Sequence, residues 1–286
     1  RYGDAKLPNS VIVDMREETM RGNTGVLSEA LAQELKYNLE HGEQSILLMN
    51  RRGYNTVARC ARCGTVQECP HCNIPLIYHR ANGKLMCHYC GHSEPATLVC
   101  EVCGSEYVMY TGCGTQKVED EIAGIFPKAR ILRMDLDTTM AKFSHDRHFA
   151  DFAAGKYDIM VGTQMVAKGL DFPNVTLVGV LAADMSLYGG DYRSYERTFS
   201  LITQVVGRGG RGEKAGRAIL QTSMPEHYVL RLAAQQAYPA FYEQEIALRR
   251  QLIFPPICDI CVVGFTGMRE PDVRTAAMHT ADVLKD

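Results

Sequence analysis

The sequence predicts an α/β fold: a parallel sheet covered by helices on both faces, with a cysteine-rich subdomain of short β-hairpins inserted into it. Three observations carry that expectation. Short runs rich in Val, Ile and Leu alternate with segments of helical periodicity. The runs are apolar throughout, as strands buried on both faces are, and lack the polar alternation of a half-exposed sheet. The rhythm is broken once, after Asn50, by a stretch that holds eight of the eleven cysteines.

Taken in order, Ser10 to Met15 reads as the first strand. Ser28 to His41 reads as a helix with Ser28 placed to cap it, and Ser45 to Asn50 as the second strand. Beyond the cysteines the rhythm resumes with Tyr107 to Tyr110 as a strand, Thr115 to Phe126 as a helix, Ala129 to Met134 as a strand and Ser144 to Ala154 as a helix. Asp158 to Val161 and Thr176 to Leu181 follow as strands, then a helix from Tyr192 to Val206 and a strand from Arg217 to Gln221. Pro225 to Leu252 reads as helical, and Pro255-Pro256 marks a boundary. The expected organisation is an α/β body over 1–57 and 107–253, an insertion over 58–106, and the start of another unit over 254–286.

Composition bounds the function. With 46% hydrophobic and 22% charged residues, 286 residues suffice for one large or two small globular domains. Thirty-one basic against thirty-three acidic residues leave a formal charge of −2, so any contact with nucleic acid must be local. The longest apolar stretch, around Val175 to Ala183, falls far short of the roughly 20 residues a membrane helix needs, and the first residues form no charged-then-apolar leader. No membrane partner is expected. A chain that begins at Arg1 and stops at Asp286 inside a helical pattern is expected to be a piece of a longer one.

The eight clustered cysteines form four Cys-x-x-Cys pairs: Cys60 and Cys63, Cys69 and Cys72, Cys87 and Cys90, Cys100 and Cys103. Two thiolates at that spacing bind one tetrahedral ion if the backbone curls beneath it, and four complete a closed zinc site, so four pairs predict two zincs. The pairs are followed by Gly64, Asn73, Gly91 and Gly104, the residue types that accept a positive φ most easily. Between the inner pairs, two apolar runs flank Asn82-Gly83 and read as a β-hairpin. This zinc-ribbon layout predicts one zinc shared by the inner pairs and another by the outer pairs. Redox disulfides or an iron cluster are the alternatives. His71, His79, His88 and His92 are candidate ligands that eight thiolates make redundant. Cys113 reads as a lone buried thiol, and Cys258 with Cys261 as part of a core strand from Phe254 to Phe265.

Two further segments carry chemistry. Gln204-Val205-Val206-Gly207-Arg208-Gly209-Gly210-Arg211 ends a helix in a glycine-rich turn whose Arg208 and Arg211 can grip a phosphate bidentately. Gly162-Thr163 to Lys168-Gly169-Leu170-Asp171 follows a strand, where α/β sheets place ligand loops. There Thr163 can bond a backbone phosphate, while Gly169 and Asp171 form a tight turn fit for a nucleotide ribose. The two segments together resemble motifs five and six of superfamily two helicases.

Asn50-Arg51-Arg52-Gly53-Tyr54 before the cysteine pairs, Gly112-Cys113-Gly114-Thr115 after them, and Asp191-Tyr192-Arg193-Ser194-Tyr195-Glu196-Arg197 extend the resemblance to the bacterial replication restart helicases, the primosomal protein N-prime family. The resemblance covers nearly the whole chain. It implies a RecA-like second helicase lobe with a two-zinc insertion, within a cytoplasmic, ATP-driven 3′ to 5′ DNA helicase that acts on stalled or broken forks and helps assemble the primosome. Arg208 and Arg211 would then face the ATP phosphates, Gln204, Gly169 and Asp171 would lie at the nucleotide, and Thr163 and Lys168 would track the DNA strand. Cys60, Cys63, Cys100 and Cys103 would hold one zinc, and Cys69, Cys72, Cys87 and Cys90 the other. ATP and Mg2+ would be cofactors of the longer protein. Implied partners are fork DNA, primosome proteins, the replicative helicase loader and single-stranded DNA-binding protein. Gly209, Gln116 and Ala182 depart from the family's usual Ala, Glu and acidic residue.

The chain contains no Gly-x-x-x-x-Gly-Lys-Ser/Thr and no Asp-Glu-x-His, so this piece alone is expected to hydrolyse no ATP. The competing reading is a non-enzymatic zinc-ribbon module that binds DNA or a partner protein. A thiol oxidoreductase would need a reactive thiolate pair. Metal removal is expected to unfold the insertion and spare the α/β body, whose apolar strands owe nothing to zinc.

Overall fold

Gln44 to Met49 shows how the sheet is built: all six residues are buried, with Ile46 and Leu48 in one apolar layer and Leu47 and Met49 in the opposite one. The computed structural model describes residues 8–49, 56–60, 62–71, 75–79, 83–87, 91–96, 99–106, 108–111, 115–134, 144–163, 172–188, 191–207, 215–261, 263–265, 267 and 269–284. In chain order its elements are β1 (Asn9–Asp14), α1 (Met15–Met20), α2 (Glu29–His41), β2 (Gln44–Met49), β3 (Thr56–Cys60), β4 (Ile77–His79), β5 (Lys84–Met86), β6 (Ser93–Pro95), β7 (Val108–Thr111) and α3 (Thr115–Ile125). There follow β8 (Ile131–Met134), α4 (Ser144–Ala153), β9 (Ile159–Gly162), β10 (Val175–Leu181), a 3-10 turn at Met185–Tyr188, α5 (Ser194–Val206), β11 (Arg217–Thr222), α6 (Tyr228–Ala234), α7 (Tyr238–Leu252) and α8 (Glu270–Val283).

Six strands form one parallel sheet in the order β1-β11-β10-β2-β9-β8. Numbered by position in the chain, that order is 1-6-5-2-4-3, a RecA-like arrangement with helices on both faces. One face buries Phe152 of α4, Phe199, Ile202 and Val205 of α5, and Leu230 of α6 against Ile46, Leu48, Val178 and Val180. The other buries Leu31 and Leu35 of α2 and Val118 and Ile122 of α3 against Leu47, Ile159, Val161 and Leu177. Each helix brings apolar residues at three- and four-residue spacing, which places them on a single stripe.

Local signals explain the helix ends. The Ser28 side chain accepts from the Leu31 N–H at 3.2 Å, and α2 closes at Gly42 with φ +64°, the usual left-handed stop. Helix α1, which the sequence reading passed over, is capped by Asp14, whose carboxylate accepts from the Arg16 N–H at 2.9 Å. At the amino ends of the strands, Asn38 donates to the Gln44 carbonyl and to Ser45 Oγ, both at 3.0 Å, and Arg217 binds Glu34 and Asn38.

The cysteine-rich segment forms a second, antiparallel sheet in the order β6-β5-β4-β3-β7. The hairpin expected around Asn82-Gly83 is β4 and β5. The strand expected over Tyr107 to Tyr110 belongs here and not to the parallel sheet: β7 runs antiparallel to β3, with Cys60 opposite Val108 and Val57 opposite Thr111. The chain returns beside the strand on which it left, and antiparallel pairing needs no crossover to achieve that.

The chain divides into two compact units, Arg1–Glu243 and Gln244–Asp286. The helical reading of Pro225 to Leu252 resolves into α6 and α7, separated at Gln236, whose φ is +53°. Within the second unit Arg249 donates to Glu245 at 2.8 Å and to the Pro255 carbonyl at 3.2 Å. The core strand expected from Phe254 to Phe265 is not found: the described residues there form no strand, Cys261 is exposed, and Ile257, Ile260 and Val263 are 45%, 46% and 53% exposed. An apolar run becomes a strand only with a ladder partner and a face to bury, and no described strand lies beside this one.

Candidate metal centre and ligand loops

Three Cys-x-x-Cys turns share one geometry. The N–H of the residue after the pair bonds to the carbonyl of the first cysteine: Gly64 to Cys60 at 3.0 Å, Gly91 to Cys87 at 3.0 Å and Gly104 to Cys100 at 2.8 Å. Those glycines have φ of +76°, +76° and +66°, which a side chain would strain. The N–H of each first cysteine bonds outward to Thr65, His92 and Ser105 carbonyls, so both ends of the loop are fastened.

Two of these turns face one another. The ligand atoms of Cys60, Cys63, Cys100 and Cys103 all lie within 4.8 Å of one another, with Cys60 Sγ 3.6 Å from Cys103 Sγ and Cys63 Sγ 3.6 Å from Cys100 Sγ. A Zn–S bond of about 2.3 Å in a tetrahedron sets sulfurs about 3.8 Å apart. The four thiols therefore fit zinc. Burial raises the Cys63 thiol, but hydrogen bonds with Thr65 and its neighbours outweigh this and bring it down to about 6. Cys103, although the Ser105 backbone bond lowers it, is pushed up to about 12 among the other three thiols. Four thiols in contact cannot all ionise without a cation, and a dication is what the cage accommodates.

The inner pairs are described in part. Cys69 and Cys87 are buried in one cluster with Ala58, Leu76 and Leu85, while Cys72 and Cys90 lie outside the described residues. His92 Nε2 pairs with Glu94 at 3.1 Å, and the His71 and His92 rings meet edge-on at 5.0 Å. His88 and Cys113 lie outside the described residues, as does the side chain of His79.

The first knuckle is not an appendage. A Cβ on Gly64 would lie 3.1 Å from the Ser223 carbonyl and 3.1 Å from Arg16 Cδ, so the knuckle backbone rests on the residues that follow β11 and β1. Beside it, Val66 and Ile77 pack on Met185 and Tyr188. The floor is braced by Asp184, a fully buried acid at the end of an apolar run, which accepts from Thr222 Oγ1 at 2.8 Å and from the Ser223 N–H at 3.2 Å. A cleft of about 720 Å³ remains between knuckle and sheet, lined by Arg16, Cys63, Tyr188, Tyr195 and His227 among others. Burial lowers the His227 pKa against the pull of Asp184, and its Nδ1 accepts from the Val229 N–H at 3.3 Å to cap α6. No local residue pattern signals this docking, which joins residues far apart in the chain.

Gly64 and Gly104 separate the two costs of a side chain. Both need positive φ, but a Cβ on Gly104 meets nothing within 4 Å. Gly104→Ala is expected to cost about 1 kcal/mol in a denaturant melt of the zinc-loaded chain, and Gly64→Ala about 1–3 kcal/mol more. Equal costs would mean that the knuckle does not rest on the sheet.

Of the loop residues, Thr163 stands at the carboxyl end of β9 and is half-buried, where ligand loops of α/β sheets lie. Gln204 is exposed on the last turn of α5. Lys168, Gly169, Asp171, Arg208 and Arg211 lie outside the described residues. Among the described residues, no helix is long and apolar enough to cross a membrane.

Residues 69–95 match the family described as the PriA DNA helicase Cys-rich region domain, and residues 106–213 match the helicase conserved C-terminal domain. The chain is 48% identical over its full length to the replication restart protein PriA of Bacillus subtilis and 43% identical over 96% of its length to that of Synechocystis. It spans about a third of these relatives, 35% and 34%. A parallel RecA-like lobe carrying a four-cysteine cage, similar along its own whole length to about one third of those proteins, belongs to the PriA family of replication restart proteins.

Proposed function

We propose that this chain is the second motor lobe of an ATP-dependent 3′ to 5′ DNA helicase that acts at stalled forks, and that it contributes the arginines while another lobe contributes the phosphate loop and magnesium carboxylate. The observation that supports this most directly is that the helicase C-terminal match, 106–213, contains every loop residue singled out for nucleotide or DNA: Thr163, Lys168, Gly169, Asp171, Gln204, Arg208 and Arg211. In this reading Thr163 and Lys168 hold a DNA strand by its phosphates at the carboxyl end of β9. Arg208 and Arg211 leave the far end of α5, a helix of 13 residues or about 20 Å, so one rigid element links the aromatic cleft at its start to the phosphate contacts at its end. ATP would supply the driving force, with Gln204, Gly169 and Asp171 holding the nucleotide and the arginines positioning charge at its phosphates.

The insertion would hold two structural zincs. Cys60, Cys63, Cys100 and Cys103 would enclose one, and Cys69, Cys72, Cys87 and Cys90 the other. Fork DNA, primosome proteins, the replicative helicase loader and single-stranded DNA-binding protein are the partners this reading proposes.

The test uses the chain joined to a lobe that bears a phosphate loop. That protein is expected to show DNA-stimulated ATPase that the chain alone lacks. In it, Lys168→Ala should weaken DNA binding and lower the slope of log affinity against log salt by about one, since one phosphate contact is lost, while ATP affinity hardly moves. Absence of DNA-stimulated turnover in the joined protein would favour the non-enzymatic zinc-ribbon reading, and an unchanged salt slope would return Lys168 to the solvated surface.

A further inference from the structure

Helix α6 ends in Ala233-Ala234-Gln235-Gln236-Ala237, without the glycine or asparagine that usually occupies a left-handed stop. Gln236 nevertheless takes that conformation, with φ +53°, its N–H bonded to the Ala233 carbonyl at 3.0 Å and the next N–H, of Ala237, to the Leu232 carbonyl at 2.9 Å. A side chain in the left-handed region is retained at a cost when glycine would fit more easily.

The same residue carries a second anomaly. Its amide nitrogen is buried without a hydrogen-bond partner, and so is the hydroxyl of Thr203 on α5. Folded proteins pair nearly all such groups, because a buried donor left alone forfeits its bonds to water. Both groups belong to residues that flank one turn. A Cβ on Gly207 would lie 3.7 Å from Gln236 Nε2 and 3.2 Å from the Thr203 carbonyl, and the Gly207 N–H bonds to that carbonyl at 3.0 Å. Gly207 is the residue from which the segment bearing Arg208 and Arg211 departs. A side chain on Gly207 would crowd the Thr203 carbonyl and sit in van der Waals contact with the amide, so Gln236 packs directly against this turn.

We infer that Gln236 is a positioning residue for the arginine turn. Its amide donates to the main chain of the turn at Gly207 when the arginines engage the nucleotide, and so sets the direction in which Arg208 and Arg211 leave α5. Gln236 touches no reacting atom. The inference rests on the reading of those arginines as phosphate contacts.

The test is made in the full-length protein, by DNA-stimulated ATPase and thermal melting. Gln236→Gly relieves the backbone and removes the amide, so Tm is expected to hold or rise while kcat falls about tenfold with KM for ATP little changed. Gln236→Glu keeps the stem and exchanges the donor for an acceptor, and should lose kcat to the same extent. Gln236→Asn keeps an amide and tolerates positive φ, and should recover part of the loss. Unchanged kcat in either the Gly or the Glu variant would overturn the inference and leave Gln236 as a helix stop alone. If Arg211→Ala also leaves turnover intact, the assignment of Arg211 fails; if Arg211→Ala abolishes turnover and Gln236→Gly does not lower it, only the positioning role fails.

Discussion

Arg211→Ala in the full-length protein is expected to lower ATP turnover by roughly 10³- to 10⁵-fold, while ATP and DNA still bind. As the terminal phosphoryl group transfers, its charge spreads over three oxygens, and an arginine held at a fixed position in a site that excludes water stabilises that charge with little reorganisation. The contact strengthens in the transition state, so its loss appears in kcat and far less in KM. Arg211→Lys should rescue poorly, because an ammonium cannot span two oxygens as the planar guanidinium does. The chain by itself, which has the arginines and no phosphate loop, should show no turnover at any DNA concentration. Single-turnover and steady-state ATPase assays read all three results. Near-normal turnover in Arg211→Ala would move the assignment to Arg208.

The second large effect is expected from metal removal. Structural zinc contributes roughly 10 to 16 kcal/mol in apparent terms to small zinc folds, and among the described residues the insertion's own core is small, Ala58, Leu76 and Leu85 with the two cysteines packed among them. Chelation should therefore release two zincs per chain and unfold the antiparallel sheet. The sequence alone suggests that the parallel sheet then melts as before. The docking of Gly64 on Ser223, and of Val66 and Ile77 on Met185 and Tyr188, changes that expectation. The body should keep a separate cooperative melt but at a lower Tm, since it loses the cover over the carboxyl ends of β1 and β11. Calorimetry with zinc titration measures both. An unshifted melt would show that the docked knuckle contributes nothing, and loss of both transitions together would show that the body depends on the metal. Cys60→Ser should loosen the site it shares with Cys63, Cys100 and Cys103 and leave the inner cysteines occupied.

The architecture was legible in the sequence because its signals are local. Uniformly apolar runs such as Ile46 to Met49 report burial on both faces, the Ser28 cap reports where α2 begins, and a Cys-x-x-Cys followed by glycine reports a turn fitted to a metal. Each depends on residues within a few positions of one another, so no knowledge of the fold is needed to read them.

What failed or was missed depends on residues far apart in the chain. Val108 to Thr111 and Phe254 to Phe265 are both β-like runs, yet the first pairs with β3 and the described residues of the second form no strand, because pairing is decided by which backbone lies alongside. The stop at Gln236 carries no glycine and left the break between α6 and α7 invisible. Composition, spacing and motif thus determined the fold class and the thiol cage, and they single out the loops proposed to meet phosphates. Only tertiary structure decided that the first knuckle rests on Ser223 above a buried Asp184, and that the unpaired Gln236 amide is buried beside Gly207. Close approach of distant backbone and the burial of unpaired polar groups arise from packing, and no local pattern of residues encodes them.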